Sequence, residues 1–298
     1  MNLRKSERIS ILRGGISDEY KISVLTADQV FETLKKKYET SIINVDNNYD
    51  KLIRNLKKYQ PNKVFNCLHG SFGEDGQIQS ILNYLKIPYT HSGVLASALA
   101  MNKVLSKKIF KALGISHPRT INNLSKCEFP LIIKPISGGS SNGLNKIETR
   151  QDLINFEKNN SLEKFIIEEF IEGREITVGI LEDKICGIME IVFENELYDY
   201  KNKYEEIAVH IINPELPEDI IDKIKKYSLT VHKELNCRCL SRLDFRYNSN
   251  DNKIYLLEIN TQPGLTKNSL LPEMARDLGI DFLQLCETIL SSAQCEEI

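Results

Sequence analysis

The sequence predicts an α/β protein: a parallel sheet flanked by helices at the N-terminal end, then α+β units. Two observations carry this. Apolar runs alternate with amphipathic helical stretches through the first third, in a βαβα order. Beyond it, strands alternate with fewer helices and end in a period-two hairpin.

In chain order, the apolar run Ile9 to Leu12 is the first strand, and Gly14-Gly15 turns the chain into a helix carrying Val24, Val30, Phe31 and Leu34. Ile42 to Val45 and Lys63 to Leu68 are further strands, with helices at Lys51 to Lys58 and Gln77 to Leu85. Polar loops follow two of these strands, Gly14 to Glu19 and His69 to Gly76, and loops at strand ends of such sheets collect ligands. One helical stretch is expected from Leu95 to Leu113, carrying Lys103. The strand Leu131 to Lys134 leads into the loop Ser137-Gly-Gly-Ser-Ser-Asn-Gly143, then a helix near Gln151 to Lys158 and a strand ending at Glu168-Glu169. Glu175 to Phe193 alternates, a tyrosine-rich loop runs from Tyr198 to Tyr204, and a helix spans about Glu218 to Leu235.

Composition bounds the function. The chain has 298 residues, with 39 Lys+Arg against 41 Asp+Glu and a net charge of −2, which offers no overall basic field for DNA or RNA. A small anionic ligand is still compatible, since a local lysine cluster serves it. The seven cysteines are scattered, and Cys237-x-Cys239 without a second pair is weak grounds for a metal site, so reduced thiols are expected. Neither a secretory h-region nor a membrane-spanning apolar window occurs, so the expected location is the cytoplasm, with no membrane partner.

The segments Leu240 to Tyr247 and Lys253 to Asn260 flank the turn-forming Asn248-Ser-Asn-Asp-Asn252. Alternation points Leu243, Phe245 and Tyr247 one way and Arg242, Asp244 and Arg246 the other. With Asn250 as the turn centre, opposite residues have equal parity, and Glu258 and Asn260 join the polar face. Two carboxylates, a carboxamide and a guanidinium on one face suit Mg²⁺. A solvated face of an amphipathic hairpin has the same pattern. Pro263-Gly264 then turns the chain toward a helix opening at Ser269 and Leu270, whose backbone N–H groups suit an anion, although an ordinary strand-to-helix turn has the same spacing.

The loop around Ser140 and Ser141 is neither a Walker A motif nor G-x-G-x-x-G. With Lys134 before it, the loop suits a phosphate lid, or equally a glycine-rich surface loop.

Taken together, these motifs resemble the D-alanine:D-alanine ligase family of the ATP-grasp superfamily over nearly the whole chain. The carrying residues are Gly14-Gly15-x-Ser17-x-Glu19, His69-Gly-x-x-Gly-Glu-Asp-Gly76, Lys103, Lys134-Pro135, Gly139-Ser-Ser141, Glu168, Glu175, Tyr198-Asp-Tyr-x-x-Lys-Tyr204, Arg242-x-Asp244 and Glu258-x-Asn260-Thr-x-Pro-Gly264. Three positions depart from the family pattern: Gly138 replaces a Glu in the lid, Tyr20-Lys21 replaces Arg-Glu, and Gln262 stands between Thr and Pro-Gly.

The resemblance implies an ATP-grasp fold in three domains: residues 1–93 (Rossmann-like, substrate), 94–177 (central, with the lid) and 178–298 (C-terminal, with the metal site). It implies ATP-dependent joining of two D-alanines through an acyl phosphate, for peptidoglycan precursor synthesis, in a homodimer. ATP phosphates would meet Lys103, Lys134, Lys203 and the Ser140-Ser141 loop, the adenine Glu168 and the ribose Glu175. Asp244, Glu258 and Asn260 would hold two Mg²⁺ ions, with Mn²⁺ able to substitute. Glu19, with His69 nearby, would bind the first D-alanine, and Arg242 and Gly264 would stabilise the oxyanion. Ser269 and Leu270 would hold the second carboxylate, while Glu19, Ser140 and Tyr204 would close the site through hydrogen bonds.

Three alternatives are weighed. A D-alanine:D-lactate ligase goes with loss of the loop tyrosine, and Tyr204 is present. A non-catalytic ATP-binding relative would lack some of Lys134, Arg242, Asp244, Glu258 or Asn260, and all are present. A ligase for another amino acid is disfavoured by Glu19 together with His69.

Overall fold

A computed structural model describes residues 6–139, 142–192 and 209–296. The first sheet contains β1 (Arg8–Gly14), β2 (Glu39–Val45) and β3 (Lys63–Asn66) in the order β2-β1-β3, with both pairings parallel. Side chains alternate along β1, so Ile9 and Ile11 bury against α1 (Tyr20–Leu34) through Ala27, Val30 and Leu34. Leu12 buries on the other side with Leu52 and Leu56 of α2 (Tyr49–Tyr59) and Ile78 and Leu82 of α3 (Gln77–Tyr84). This two-sided burial is what the apolar runs of the first third predict.

The expected helix Leu95 to Leu113 is two helices, α4 (Val94–Met101) and α5 (Lys103–Ala112). Asn102 adopts an extended conformation, and its side chain accepts from the N–H groups of Val104 and Leu105, each at 3.1 Å. A residue that caps better than it propagates breaks the stretch there. The break has a consequence for the site: Lys103 becomes the first residue of α5, and its N–H donates to the Ile136 carbonyl at 2.9 Å, beside the glycine-rich loop.

A second sheet, β5-β4-β6, is antiparallel and consists of β4 (Leu131–Pro135), β5 (Asn145–Ile147) and β6 (Phe165–Glu169). Leu131, Ile133, Ile147 and Ile167 pack against Leu153 of α6 (Arg150–Asn159), which Thr149 starts with a capping box. The third sheet runs β11-β10-β7-β8-β9 and is antiparallel throughout. Its strands are β7 (Arg174–Leu181), β8 (Lys184–Val192), β9 (Val209–Ile212), β10 (Leu240–Asn248) and β11 (Lys253–Asn260). One face packs Val178, Leu243 and Phe245 against Ile220, Ile224 and Val231 of α7 (Glu218–Glu234). The other receives Leu271 and Met274 of α8 (Leu270–Asp277), and α9 (Phe282–Ser291) joins this core to α1.

The hairpin forms, but its register is nowhere centred on Asn250: the pairs near the turn centre between Asn250 and Asp251, and those beyond the bulge on Asp251. Near the turn Phe245 pairs with Leu256 and Arg246 with Tyr255, while beyond a bulge Asp244 pairs with Glu258 and Arg242 with Asn260. The turn alone would have set the wrong parity. The extra residue, Leu257, shifts β11 by one and restores the expected polar face at Asp244 and Glu258.

Gly173 links β6 to β7 at φ +128°, and an added Cβ would lie 2.1 Å from the Tyr247 carbonyl oxygen. Gly173→Ala is therefore expected to cost roughly 3 kcal/mol or more, read as a lower urea midpoint. An unchanged midpoint would show that the strand end accommodates a side chain.

Candidate active site

A cleft lies between the second and third sheets. Lys103, Lys134, Glu168, Glu175, Arg242, Asp244 and Glu258 line it, alongside apolar Ile132, Ile171, Ile191 and Leu257. Charged and apolar walls together suit a ligand with a polyanionic end and a flat apolar end. Of the residues to which the sequence gives a site role, those seven and Leu270 reach the cleft, and Gly138, Gly139 and Arg246 line it as well. Glu19, His69, Asn260, Gly264 and Ser269 do not line it. Ser140, Ser141, Lys203 and Tyr204 lie outside the described residues.

On one wall, β4 and β6 pair Ile132 with Glu168 and Lys134 with Ile166, which places Lys134 beside Glu168. The buried Glu168 carboxylate meets Lys134 Nζ at 3.0 Å and Lys107 Nζ at 2.6 Å. Burial opposes the charge on Glu168, yet the two ammonium groups outweigh it and hold the carboxyl below its ordinary value. Burial likewise opposes the charge on Lys134, and Glu168 and Glu258 outweigh it, so Lys134 is raised and stays cationic. Lys103 donates to the Gly138 carbonyl at 2.6 Å and lies 3.5 Å from Glu258.

On the facing wall, the Asp244 carboxylate takes both nitrogens of an Arg242 fork, at 2.9 and 2.8 Å, and the Thr177 hydroxyl at 2.6 Å. Glu258 stands opposite Asp244 in the ladder, and the Asn260 side-chain oxygen accepts from the Gln262 N–H at 2.7 Å. Among the described residues no three Cys, His, Asp or Glu side chains form a metal cluster, and what this face offers a cation is the carboxylates of Asp244 and Glu258, with the Asn260 carboxamide two residues further along β11. That all-oxygen set fits a hard cation such as Mg²⁺. Glu175 at the start of β7 lies 3.4 Å from Arg246, which also donates to the Gly173 carbonyl at 2.6 Å.

A third group gathers where the loops after β1 and β3 meet. The Ser17 hydroxyl donates to the His69 carbonyl at 2.5 Å and accepts from the Glu19 N–H at 3.2 Å. His69 is buried with both ring nitrogens engaged, Nδ1 by Glu74 at 2.8 Å and Nε2 by Thr26 at 3.2 Å. Burial pushes the Glu74 carboxyl up, against the pull of His69. Gly139 approaches Glu19 so closely that an added Cβ would sit 3.5 Å from its carboxylate. The glycine-rich loop thus meets the lysine wall through Gly138 and runs beside Glu19. Ser269 precedes α8 in an extended conformation, and its hydroxyl, 2.8 Å from Thr266 Oγ1, lies 3.1 Å from where a Gly264 Cβ would stand.

Sequence reasoning missed Lys107, Thr177, Glu74 and Gln262 as members of these networks. Lys107 had a signal, since it lies one helical turn beyond Lys103 on the same face of α5. Thr177 had none, because its place opposite Asp244 comes from the non-local pairing of β7 with β10.

A three-stranded sheet facing a five-stranded one across a cleft of lysines and carboxylates defines an ATP-grasp protein. A family model described as the D-ala D-ala ligase C-terminus matches residues 101–291. The D-alanine–D-alanine ligase of Wolbachia pipientis subsp. Culex pipiens is 42% identical, over 96% of this chain and 93% of that protein. The one from Pelagibacter ubique is also 42% identical, over 97% and 98%. The structure of the Bacillus anthracis D-alanine–D-alanine ligase complexed with ATP superimposes with a TM-score of 0.83 at 32% identity, covering 96% of this chain and 97% of that one. The chain belongs to the D-alanine–D-alanine ligase family. The VanG D-Ala:D-Ser ligase of Enterococcus faecalis, at 26% identity and a TM-score of 0.77 over 96% and 99% of the two chains, has the same fold.

Proposed function

We propose that this protein joins two D-alanines at the expense of ATP, in the cytoplasm and as a homodimer. The observation that carries the reading is the cleft itself, with Lys103 and Lys134 across from Asp244 and Glu258 and with Glu19 beside the loop that borders it. In this reading the chain has three domains, at 1–93, 94–177 and 178–298.

The triphosphate lies along Lys103 and Lys134, with Lys203 and the Ser140-Ser141 loop completing its contacts. The adenine and ribose sit toward Glu168 and Glu175, against the apolar wall of Ile132, Ile171 and Ile191. Asp244, Glu258 and Asn260 hold Mg²⁺, two ions in all, with Mn²⁺ as a substitute. When bound, the cation neutralises phosphate charge that the two lysines alone would leave.

Glu19 holds the ammonium of the first D-alanine, and the buried His69, fixed by Glu74 and Thr26, shapes that pocket. A carboxylate oxygen of this D-alanine attacks the γ-phosphorus, the bond to the bridging oxygen breaks, and ADP leaves with that electron pair. The chain's part is alignment and charge, which is most of what phosphoryl transfer asks of a protein. Ser269 and Leu270 hold the carboxylate of the second D-alanine. Its neutral amine attacks the acyl carbon, loses a proton and expels inorganic phosphate, leaving the peptide bond. Arg242 and the Gly264 N–H would stabilise the tetrahedral oxyanion. Water would hydrolyse the acyl phosphate, so Glu19, Ser140 and Tyr204 close the site through hydrogen bonds.

The test is ADP release from ATP and Mg²⁺ on adding D-alanine, D-lactate or L-alanine, with the product weighed by mass spectrometry. D-Alanine-dependent release with D-alanyl-D-alanine as product is expected. A folded sample that releases no ADP with D-alanine would refute the reading.

A further inference from the structure

Gln262 is buried at 2% exposure between the lobe of the first sheet and that of the third. Its carboxamide nitrogen donates to the Leu68 carbonyl in a short hydrogen bond, and its oxygen accepts from the Asn66 carboxamide at 2.8 Å. Both partners lie at the end of β3, and Leu68 immediately precedes His69. Asn66 is held in turn, since it donates to the Gly73 carbonyl at 2.9 Å and accepts from the Leu68 N–H at 3.1 Å. Gln79 donates to the same Gly73 carbonyl at 2.9 Å. The backbone N–H of Gln262 donates to Asn260, and Gly264 follows two residues later.

One side chain thus bridges the loop carrying His69 and the segment carrying Asn260 and Gly264. Two lobes in contact slide over one another readily where the contact is apolar. A carboxamide bonded at both ends fixes a single offset, because any other offset leaves buried polar groups without partners. Gln262 stands outside the ATP cleft, so this constraint acts on the amino-acid side of the site.

We propose that Gln262 is a positioning residue that sets the distance between the first D-alanine, on the Glu19 and His69 side, and the Asn260 and Gly264 side where its carboxylate reacts. This rests on the function proposed above, and the wild-type assay tests that function separately. Reactions that depend on alignment lose on the order of 10- to 100-fold for displacements near 1 Å.

Gln262→Met keeps the length of the side chain and removes both hydrogen bonds. The expected result is a loss of at least about tenfold in kcat/KM for D-alanine, with KM for ATP within about twofold of wild type. Asn66→Ala removes one of the two bonds of Gln262, together with the bonds of Asn66 to Gly73 and Leu68, and is expected to show the same selectivity. Combined with Gln262→Met, it adds less than its separate effect, since the shared bond is already gone. Should Gln262→Met not fold, Asn66→Ala alone decides. A folded variant whose D-alanine and ATP parameters fall equally, or do not fall, overturns the proposal. Inactive wild type overturns the functional reading and with it this inference; active wild type with an indifferent Gln262→Met overturns this inference alone.

Discussion

Asp244→Asn is expected to lower D-alanine-dependent ADP release by roughly 10³-fold, about 4 kcal/mol of transition-state stabilisation. The substitution is conservative in shape. Asparagine can still accept from the Thr177 hydroxyl, which lies 2.6 Å from the carboxylate, but it loses the charge that faces Glu258 across the ladder and balances the Arg242 fork. The Mg²⁺ concentration for half-maximal activity should rise as well, because one of two anionic donors is gone. Thr177→Val, which leaves the charge and removes only the hydroxyl, should cost far less, about tenfold. The comparison is made by steady-state ADP release across a Mg²⁺ titration. Full activity of Asp244→Asn at unchanged Mg²⁺ demand would remove Asp244 from the metal face.

Lys107→Met should bring a large loss of stability. It strips the buried Glu168 of the nearer of its two ammonium partners, at 2.6 Å, and leaves the Pro118 carbonyl without the donor that now reaches it at 2.5 Å. Breaking a buried pair from one side costs about 3–5 kcal/mol, and because Lys134 remains, the lower end of that range is expected. Urea denaturation measures it. Adding Glu168→Gln to Lys107→Met should recover part of the loss, since no carboxylate is then left with half its partners.

The same triad makes a statement about acid. The folded pKa of Glu168 lies below its ordinary value of 4.5, so the carboxylate contributes stability that is fully present above the unfolded pKa and is lost as pH falls through the folded one. The stability gap between wild type and Glu168→Gln is therefore expected to be constant near neutrality and to shrink only below about pH 4.5. A gap that stays open well below that point would mean that the packing of Glu168, not its charge, supplies it.

Much of the fold is legible in the sequence because its cues are local. The buried strands of the parallel sheet show as apolar runs. The polar face of the hairpin follows from alternation, which needs no knowledge of the neighbouring strands. The break at Asn102 escaped because an apolar helical period runs straight through it, and only the capping geometry of its side chain reveals it. The bulge at Leu257 escaped for a different reason: a turn of unknown length leaves the register one residue uncertain, and packing on both faces decides it.

For the site, alternation along the hairpin by itself put Asp244, Glu258 and Asn260 on one face. The resemblance of the motifs to a known family singled out most of the other lysines and carboxylates, but not Lys107 or Glu74. Tertiary structure alone decided the pairings. Lys107 and Lys134 share one carboxylate, Arg242 closes on Asp244, Glu74 fixes His69, and Gln262 fastens two lobes through Asn66 and Leu68. Most of these contacts join residues distant in the chain, and the one between Arg242 and Asp244 depends on a strand held from both sides. The physical reason is that a charge or carboxamide buried away from water must find its partner in space, and the chain order places no such demand on it.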